Sequence, residues 1–449
     1  MKKIFLISLL ISSTVFAKTS FLDSVKRMKW KDIDVVWVED DKFPQFTASF
    51  YFAEGALRDS YPGLTQATFD QLTSGTTKET QRQIAEFFDF YGANLKHSVT
   101  HEYSVFTVQG LTKDIVPVMG KVCELFTDAQ YPDKELKSYV SRAKSQLNNL
   151  VTSHSGLADR VFRQISLEGT PYYLPTEGTI KSLDNLNPGV LKTRLANLNR
   201  TKKTLYIAGP KDILQFKDVL AKNCLWKNEL VGEEVKLVRS LSQSFIYLVP
   251  VPGANQAQIR IGRYLVPEEM NGKYDQYSFL ASFLGGGFTS KLVQELRVKR
   301  GLTYSAGAYV SALKNYGRAG VMTFSRNETA TDAISLVRDI FSEISDGKIS
   351  EKEFKHQQGH QIGGFAFGFE ETSAFLGQLM LYDHLGRSLD QLANFPEKVA
   401  QFKTTDLSDA NLVVFPWDKM VVVVVGDPSL EKSLSRIRPV KILNYKDFL

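Results

Sequence analysis

The chain has 449 residues, 43% of them hydrophobic and 23% charged, with a formal net charge of +6 and only two cysteines. The positive excess is mild and dispersed, which argues against a nucleic-acid-binding surface. The length exceeds what one hydrophobic core usually serves, so two or more domains are expected.

The chain opens with "MKKIFLISLLISSTVFAKTS": basic Lys2 and Lys3, an apolar run from Ile4 to Ile11, then Val15-Phe16-Ala17 as a small-residue cleavage site. This order predicts a removed Sec signal over 1–17 and a periplasmic or secreted mature chain. Its removal takes Lys2 and Lys3 with it and lowers the formal charge from +6 to +4. No Cys follows the apolar run to accept a lipid. No later run approaches the ~20 apolar residues of a membrane span, so the mature chain is expected to be soluble.

In the first half, "FTASFYFAEGA" alternates as a strand, and "YPGLTQATFDQLTSGTT" (61–77) reads as a helix running into a Gly75-Thr76 turn. "LKHSVTHEYS" reads as a strand with His97 and His101 on one face and Glu102 on the other, the two imidazoles being taken as edge-strand surface residues. Cys123 and Cys224 have a spacing that fits no metal motif; a bridge in an oxidising compartment and two separate buried thiols both stay open. "LWKNELVGEEVKLVRSLSQS" (225–244) is charged and weakly periodic, as an interdomain linker would be.

The second half repeats the first. "NRTKKTLYIAGPKD" pairs with "PWDKMVVVVVGDPS", and Ile207 and Val424 are 217 residues apart. "EYSVFTVQGLTKDIVPVMGKVCELF" pairs with "RAGVMTFSRNETATDAISLVRDIFSEI", where Phe106 and Met322 differ by 216. "PDKELKSYVSRAKSQL" echoes "SEKEFKHQQGHQIGGF", with Leu136 and Phe354 differing by 218. Three landmarks at one offset predict two homologous domains, 18–224 and 245–449. Strands and helices do not alternate regularly, so the expected class is α+β, each domain a mixed sheet with helices on one face. "VVVVV" (421–425) is expected to be a buried central strand.

"FLGGGFTSKLVQELRVKRGLTYSAGAYV" (283–310) is the most specific segment. Gly285, Gly286 and Gly287 form a loop before a helix with Leu292, Val293 and Leu296 on its core face. Gly301 is placed to end that helix in a left-handed cap, after which a strand follows. Arg297 on the last turn and Tyr304 at the strand's start are thereby carried toward one surface. A guanidinium offers forked donors to a carbonyl or carboxylate, and a phenol donates to an oxygen that gains charge. Arg and Tyr alone supply neither nucleophile nor base. A triglycine without a following Lys-Ser/Thr is no phosphate loop. "HQQGH" puts His356 and His360 one turn apart, yet it lacks a Glu and is read as an incidental pair on a solvated face.

Over essentially the whole mature chain the sequence resembles the insulinase-like or pitrilysin-like (M16) zinc peptidases, which include the mitochondrial processing peptidase. The resemblance rests on "LGGGFTSKLVQELRVKRGLTYS", "VPVPGANQAQIRIG", "FAEGALRDSYPGLTQATFDQLTSGTT", "YGANLKHSVTHEYSVF" and "TPYYLPTEGTIKSL". It implies a clam-shell of two domains, with Arg297 and Tyr304 as the family's substrate-holding pair and Gly285, Gly286, Gly287 and Phe288 beside the substrate. Cleaving members carry His-x-x-Glu-His and a distant Glu, in which two His bind zinc and the Glu activates water. Here the His positions fall on Gln66 and Asp70, the base on Phe69, and the distant Glu near Gln146. No zinc is therefore expected in this chain. The resemblance further implies pairing with a zinc-bearing homologue, to which this chain supplies the substrate-holding half of a peptidase site. A scaffold that keeps the fold for assembly alone is the alternative, and an independent peptidase with another metal site the weakest.

Overall fold

The structure is a computed structural model that describes residues 23–31, 33–224, 226, 227, 229 and 244–449. The expected signal (1–17) and most of the expected linker (225–244) lie outside the described residues.

Among the described residues, twelve strands form two sheets. The first contains β1 (Val25–Trp30), β2 (Ile33–Glu39), β3 (Gln45–Phe52), β4 (Asn94–Val99), β5 (Ser104–Leu111) and β6 (Lys203–Gly209), in the order β1-β2-β6-β3-β5-β4. The second contains β7 (Ile246–Pro250), β8 (Gln256–Leu265), β9 (Ala306–Ala312), β10 (Gly317–Arg326), β11 (Val421–Gly426) and β12 (Val440–Ile442), in the order β12-β7-β11-β8-β10-β9. Without β1 and β12 the two orders are the same, β2-β6-β3-β5-β4 and β7-β11-β8-β10-β9. In each, the pair β2–β6 or β7–β11 is parallel and the strands beyond it are antiparallel. The repeat spaced by 216 to 218 residues is thus a duplicated mixed sheet, and the fold is α+β. The sixth strand is where the copies differ: β1 runs antiparallel to β2, whereas β12 runs parallel to β7.

The helices used below are α1 (Leu64–Asp70), α2 (Gln81–Phe90), α3 (Ile115–Asp128), α4 (Asp133–Asn148), α5 (His154–Ser166), α6 (Pro188–Arg200), α7 (Tyr274–Gly285), α8 (Ala330–Ser345), α9 (Glu351–Gly364), α10 (Thr372–His384) and α11 (Thr404–Val414). Along α3 the buried residues are Ile115, Val118, Met119, Val122, Cys123, Leu125 and Phe126, a stripe that recurs every three to four residues and faces the sheet. It meets Phe46, Ala48, Phe50 and Phe52, which β3's two-residue period aims at the same core. Cys123 on α3 is joined to Cys224 in a disulfide, which resolves the alternative left open by the sequence.

The compact units are not the two contiguous halves of the chain. The first runs to Val140 and takes in Asp184–Glu233 and Ala366–Asn394; the second takes in Ser141–Leu183, Glu234–Phe365 and Phe395–Leu449. Helix α5 of the first half therefore belongs to the second unit, and α10 of the second half to the first. They begin 218 residues apart, the repeat's own offset, so equivalent helices are exchanged.

The two docks are chemically different. In the second unit Leu157, Val161 and Phe162 of α5 join Val421, Val423 and Val425 in one apolar cluster. Val422 and Val424 point into the main core, so β11 is buried on both faces. In the first unit the end of α10 is held by polar groups. Arg27 donates two hydrogen bonds to Asp383 (3.0 and 2.8 Å) and Tyr206 donates a third (2.8 Å). His384 lies 2.8 Å from Glu102 and 2.9 Å from the Tyr51 hydroxyl, with His384 and Glu102 both buried. Burial pushes the Tyr51 and Tyr206 phenols up, so both stay protonated donors. None of the described helices is long and apolar enough to cross a membrane.

Candidate functional site

Helix α1 sits where the zinc motif would be, and a buried charge network sets its start. Asp59 accepts hydrogen bonds from the Thr65 backbone N–H (2.9 Å) and from the Thr65 hydroxyl. Arg194 of α6 donates to the Thr65 hydroxyl (2.7 Å), to Glu54 and to the Gly55 carbonyl (3.0 Å), and its Nε lies 3.3 Å from Asp59. Arg194, Glu54 and Asp59 are all buried. Burial, offset in part by Arg194 and the Thr65 hydrogen bonds, pushes the Asp59 carboxyl up to about 6. Burial, with a smaller push from the neighbouring Glu54 carboxylate, outweighs the one guanidinium that the two carboxylates share.

The face of α1 that the motif would use is closed on itself. Gln66 and Asp70, four apart, share a helix face, and the Gln66 amide lies 3.2 Å from both Asp70 carboxylate oxygens. His97 of β4 reaches Asp70 Oδ1 at 2.9 Å, and the Tyr139 hydroxyl on α4 donates to Asp70 Oδ2 at 2.9 Å. A carboxylate only accepts, so His97 donates from Nε2 and three donors converge on Asp70. Phe69, at the place of the base, is 3% exposed and stacks on the His97 ring, with Phe52, Phe106 and Phe126 also around it.

His97 lies on an edge strand as expected, but its ring is half-buried against Asp70 rather than on the open surface. It brings an imidazole to a place where the motif positions alone offer none. Gln146, near which the distant acid would fall, is exposed; the residue of α4 that reaches Asp70 is Tyr139, two turns earlier. The group does not fit zinc. Both Asp70 oxygens already take donors, Gln66 offers only an amide, and Phe69 can take no proton. Among the described residues, no group of three or more His, Cys, Asp and Glu is placed to hold a metal ion. His356 and His360 are both exposed on α9.

The second region lies wholly in the second unit. At Gly285 a Cβ would stand 2.0 Å from the Ala308 nitrogen, so the absent side chain lets the end of α7 press on the β9 backbone. A Cβ on Gly286 would strike Ser282, whereas at Gly287 the space is open. These two fits answer to packing. After the loop the chain makes a π-helical turn over Val293–Val298, with Lys299 N–H donating to the Gln294 carbonyl five residues back. An ordinary α-helix was expected there; the wider turn is of a kind often found at functional sites. Gly301, at φ 60°, ends it in a left-handed cap: its N–H donates to the Arg297 carbonyl (3.1 Å) and Leu302 N–H to that of Leu296 (2.8 Å).

This cap brings Arg297 and Tyr304 together. The guanidinium carbon lies 4.5 Å from the Tyr304 ring centroid and 5.3 Å from that of Phe288, both within cation–π range. Tyr304 is 74% exposed and Phe288 61%. The other cations of the turn are engaged. Lys291, Lys299 and Arg300 all pair with Glu295, whose carboxyl burial would raise but whose hydrogen bonds from Lys299 and Arg300 hold it down to about 2. Arg297 enters no ion pair among the described residues. Its forked donors are left for something else, beside an exposed phenol.

The described residues thus form a duplicated α+β sandwich with a self-satisfied α1 and an exposed Arg/Tyr element. Comparison with known proteins gives the same class. The family described as "Peptidase M16 inactive domain" matches residues 204–359. A protein of Helicobacter pylori described as "Non-peptidase homolog YmxG" is 21% identical over 417 residues, 91% of this chain and 95% of its own. An uncharacterized zinc protease of Streptomyces coelicolor is 20% identical over 350 residues, 73% of each chain. The crystal structure of a peptidase M16 inactive domain from Pseudomonas fluorescens superposes with a TM-score of 0.80 at 20% identity, covering 90% of this chain and 98% of that one. Residues 204–359 thus match the M16 inactive domain, and over most of its length the chain is similar to M16-type proteins.

Proposed function

We propose that the chain is the non-zinc subunit of an exported M16-type peptidase, binding peptide substrate and completing the active site of a zinc-bearing homologue. Arg297 grips a backbone carbonyl or carboxylate of the peptide, and Tyr304 donates to the scissile carbonyl oxygen as it gains charge. The observation that carries this reading is the Arg297 guanidinium, lying over exposed Tyr304 and without an ion-pair partner among the described residues, in a chain where the family's zinc-motif positions fall on Gln66, Phe69 and Asp70. Export to an oxidising compartment is part of the proposal, supported by the basic-apolar start of the sequence and by the Cys123–Cys224 disulfide.

The test is reconstitution. The purified chain is combined with an exported homologue bearing His-x-x-Glu-His, and cleavage of a quenched fluorogenic peptide is compared with that of either chain alone. Cleavage only by the mixture, lost with Arg297→Ala, supports the reading. A second reading, a scaffold of the same fold, draws on the closed state of α1. It predicts a complex whose activity ignores Arg297 and Tyr304.

A further inference from the structure

Phe288 presents a large apolar ring to water beside a charge, and the loop that carries it is firmly built. The Gln294 side-chain amide donates to the Phe288 carbonyl at 2.8 Å. Ser290 ties the preceding residue down, its N–H and hydroxyl donating to the Gly287 carbonyl at 3.1 and 2.6 Å. Upstream, the close approach of Gly285 to β9 fixes the loop's other end. Phe288 is therefore held in position rather than exposed by fraying. Val298 (51% exposed), next to Arg297 in the chain, and Tyr304, whose ring lies against the guanidinium, are also left to solvent. Apolar surface gathered around a cation with no ion-pair partner among the described residues suits a ligand with the complementary make-up, an oxygen acceptor flanked by an apolar group.

We propose that Phe288 is a specificity-determining residue that selects peptides with an aromatic side chain next to the carbonyl taken by Arg297. The inference rests on the peptide-binding reading above and adds a side-chain preference to it. Arg297 lies within cation–π range of both Phe288 and Tyr304, which leaves the in-plane N–H fork to meet a carbonyl or carboxylate edge-on. An extended peptide gripped there carries a neighbouring side chain past the Phe288 ring. An aromatic one covers that ring by offset or edge-to-face contact; a small one leaves it wet. A peptide C-terminal carboxylate and an internal carbonyl offer the fork the same oxygen chemistry.

The experiment uses the purified chain and N-terminally fluorescein-labelled pentapeptides, Ala-Ala-Phe-Ala-Ala and penta-Ala, each as C-terminal amide and free acid, read by fluorescence anisotropy. The Phe peptide is expected to bind on the order of tenfold more tightly than penta-Ala. Phe288→Ala removes that ratio and Phe288→Tyr restores it, while Arg297→Ala weakens both peptides and leaves the ratio in place. Equal binding of amide and free acid assigns the fork to an internal carbonyl, as the proposal requires; tighter binding of the free acids assigns it to the chain terminus, two residues from the Phe, and counts against the proposal. Because Phe288 is 61% exposed, Phe288→Ala is expected to fold, and an unchanged thermal midpoint verifies it. Peptide binding with no aromatic preference, or a preference that survives Phe288→Ala, overturns this inference and leaves the peptide-binding reading standing. No binding of any peptide by the wild-type chain overturns both.

Discussion

Helix α1 and the turn carrying Arg297 belong to the two copies of one duplicated sheet framework, yet one is closed and the other open. On α1, Asp70 takes three donors from Gln66, His97 and Tyr139, and Phe69 is packed among aromatic rings. At the π-helical turn, Glu295 gathers the neighbouring cations while Arg297 stays without an ion-pair partner among the described residues, beside two exposed rings. Polar groups that have lost a ligand are costly unless they find partners, so a vacated metal position is stable once its residues satisfy one another. Groups kept for a ligand show the opposite state. Under the proposed function, the contrast is that between a scaffold element and a binding element inside one chain.

The largest effect should come from breaking the anchor of the closed region. Arg194→Met leaves Glu54 and Asp59 buried without their shared cation, and about 3–5 kcal/mol of stability is expected to be lost, read from urea unfolding midpoints. The open region responds in rate instead. In the reconstituted pair Tyr304→Phe should lower turnover by about 10²–10³-fold, the usual loss for one oxyanion donor, with the thermal midpoint unmoved because the ring is exposed. An unchanged rate would make Tyr304 structural.

Smaller still is the effect of Asp70→Ala, which releases three donors in a partly exposed site. A loss of about 1–2 kcal/mol is expected, with turnover of the pair unchanged. A large loss of turnover would move α1 from scaffold to machinery. The smallest effect is a pH trend. Asp59 titrates near 6 in the fold against an ordinary value near 3.8, so the native state holds the extra proton between these values. Its contribution is full below about 4 and is lost as pH rises to about 6. The stability difference between wild type and Asp59→Asn should therefore shift against the wild type over that window and level off above it. A flat difference would mean that Arg194 fully compensates Asp59.

Much of the fold was legible because the repeat offset is carried by long apolar patterns: the valines of β11 and the periodic stripe of α3 each report burial directly. The Gly301 cap was legible for a similar reason, since a glycine after an apolar helix face has one common use. The exchange of α5 and α10 was not, because a helix's pattern says that it is buried and not against which sheet. Nor was the polar dock of Asp383 and His384, whose partners Arg27, Glu102 and Tyr51 lie hundreds of residues away. His97 and Tyr139 escaped for the same cause. The alternation of β4 put His97 on a definite face, but only tertiary packing brings that face to Asp70. The disulfide needed the spatial approach of Cys123 and Cys224, which their spacing does not report.

The central claim is that this chain holds no zinc and acts only with a partner that does. Elemental analysis of the purified chain, followed by peptide cleavage with and without a His-x-x-Glu-His homologue, tests it most directly. The account predicts zinc well below one equivalent, no cleavage by the chain alone, and cleavage in the mixture that depends on Arg297. Stoichiometric zinc together with activity in the isolated chain would contradict it.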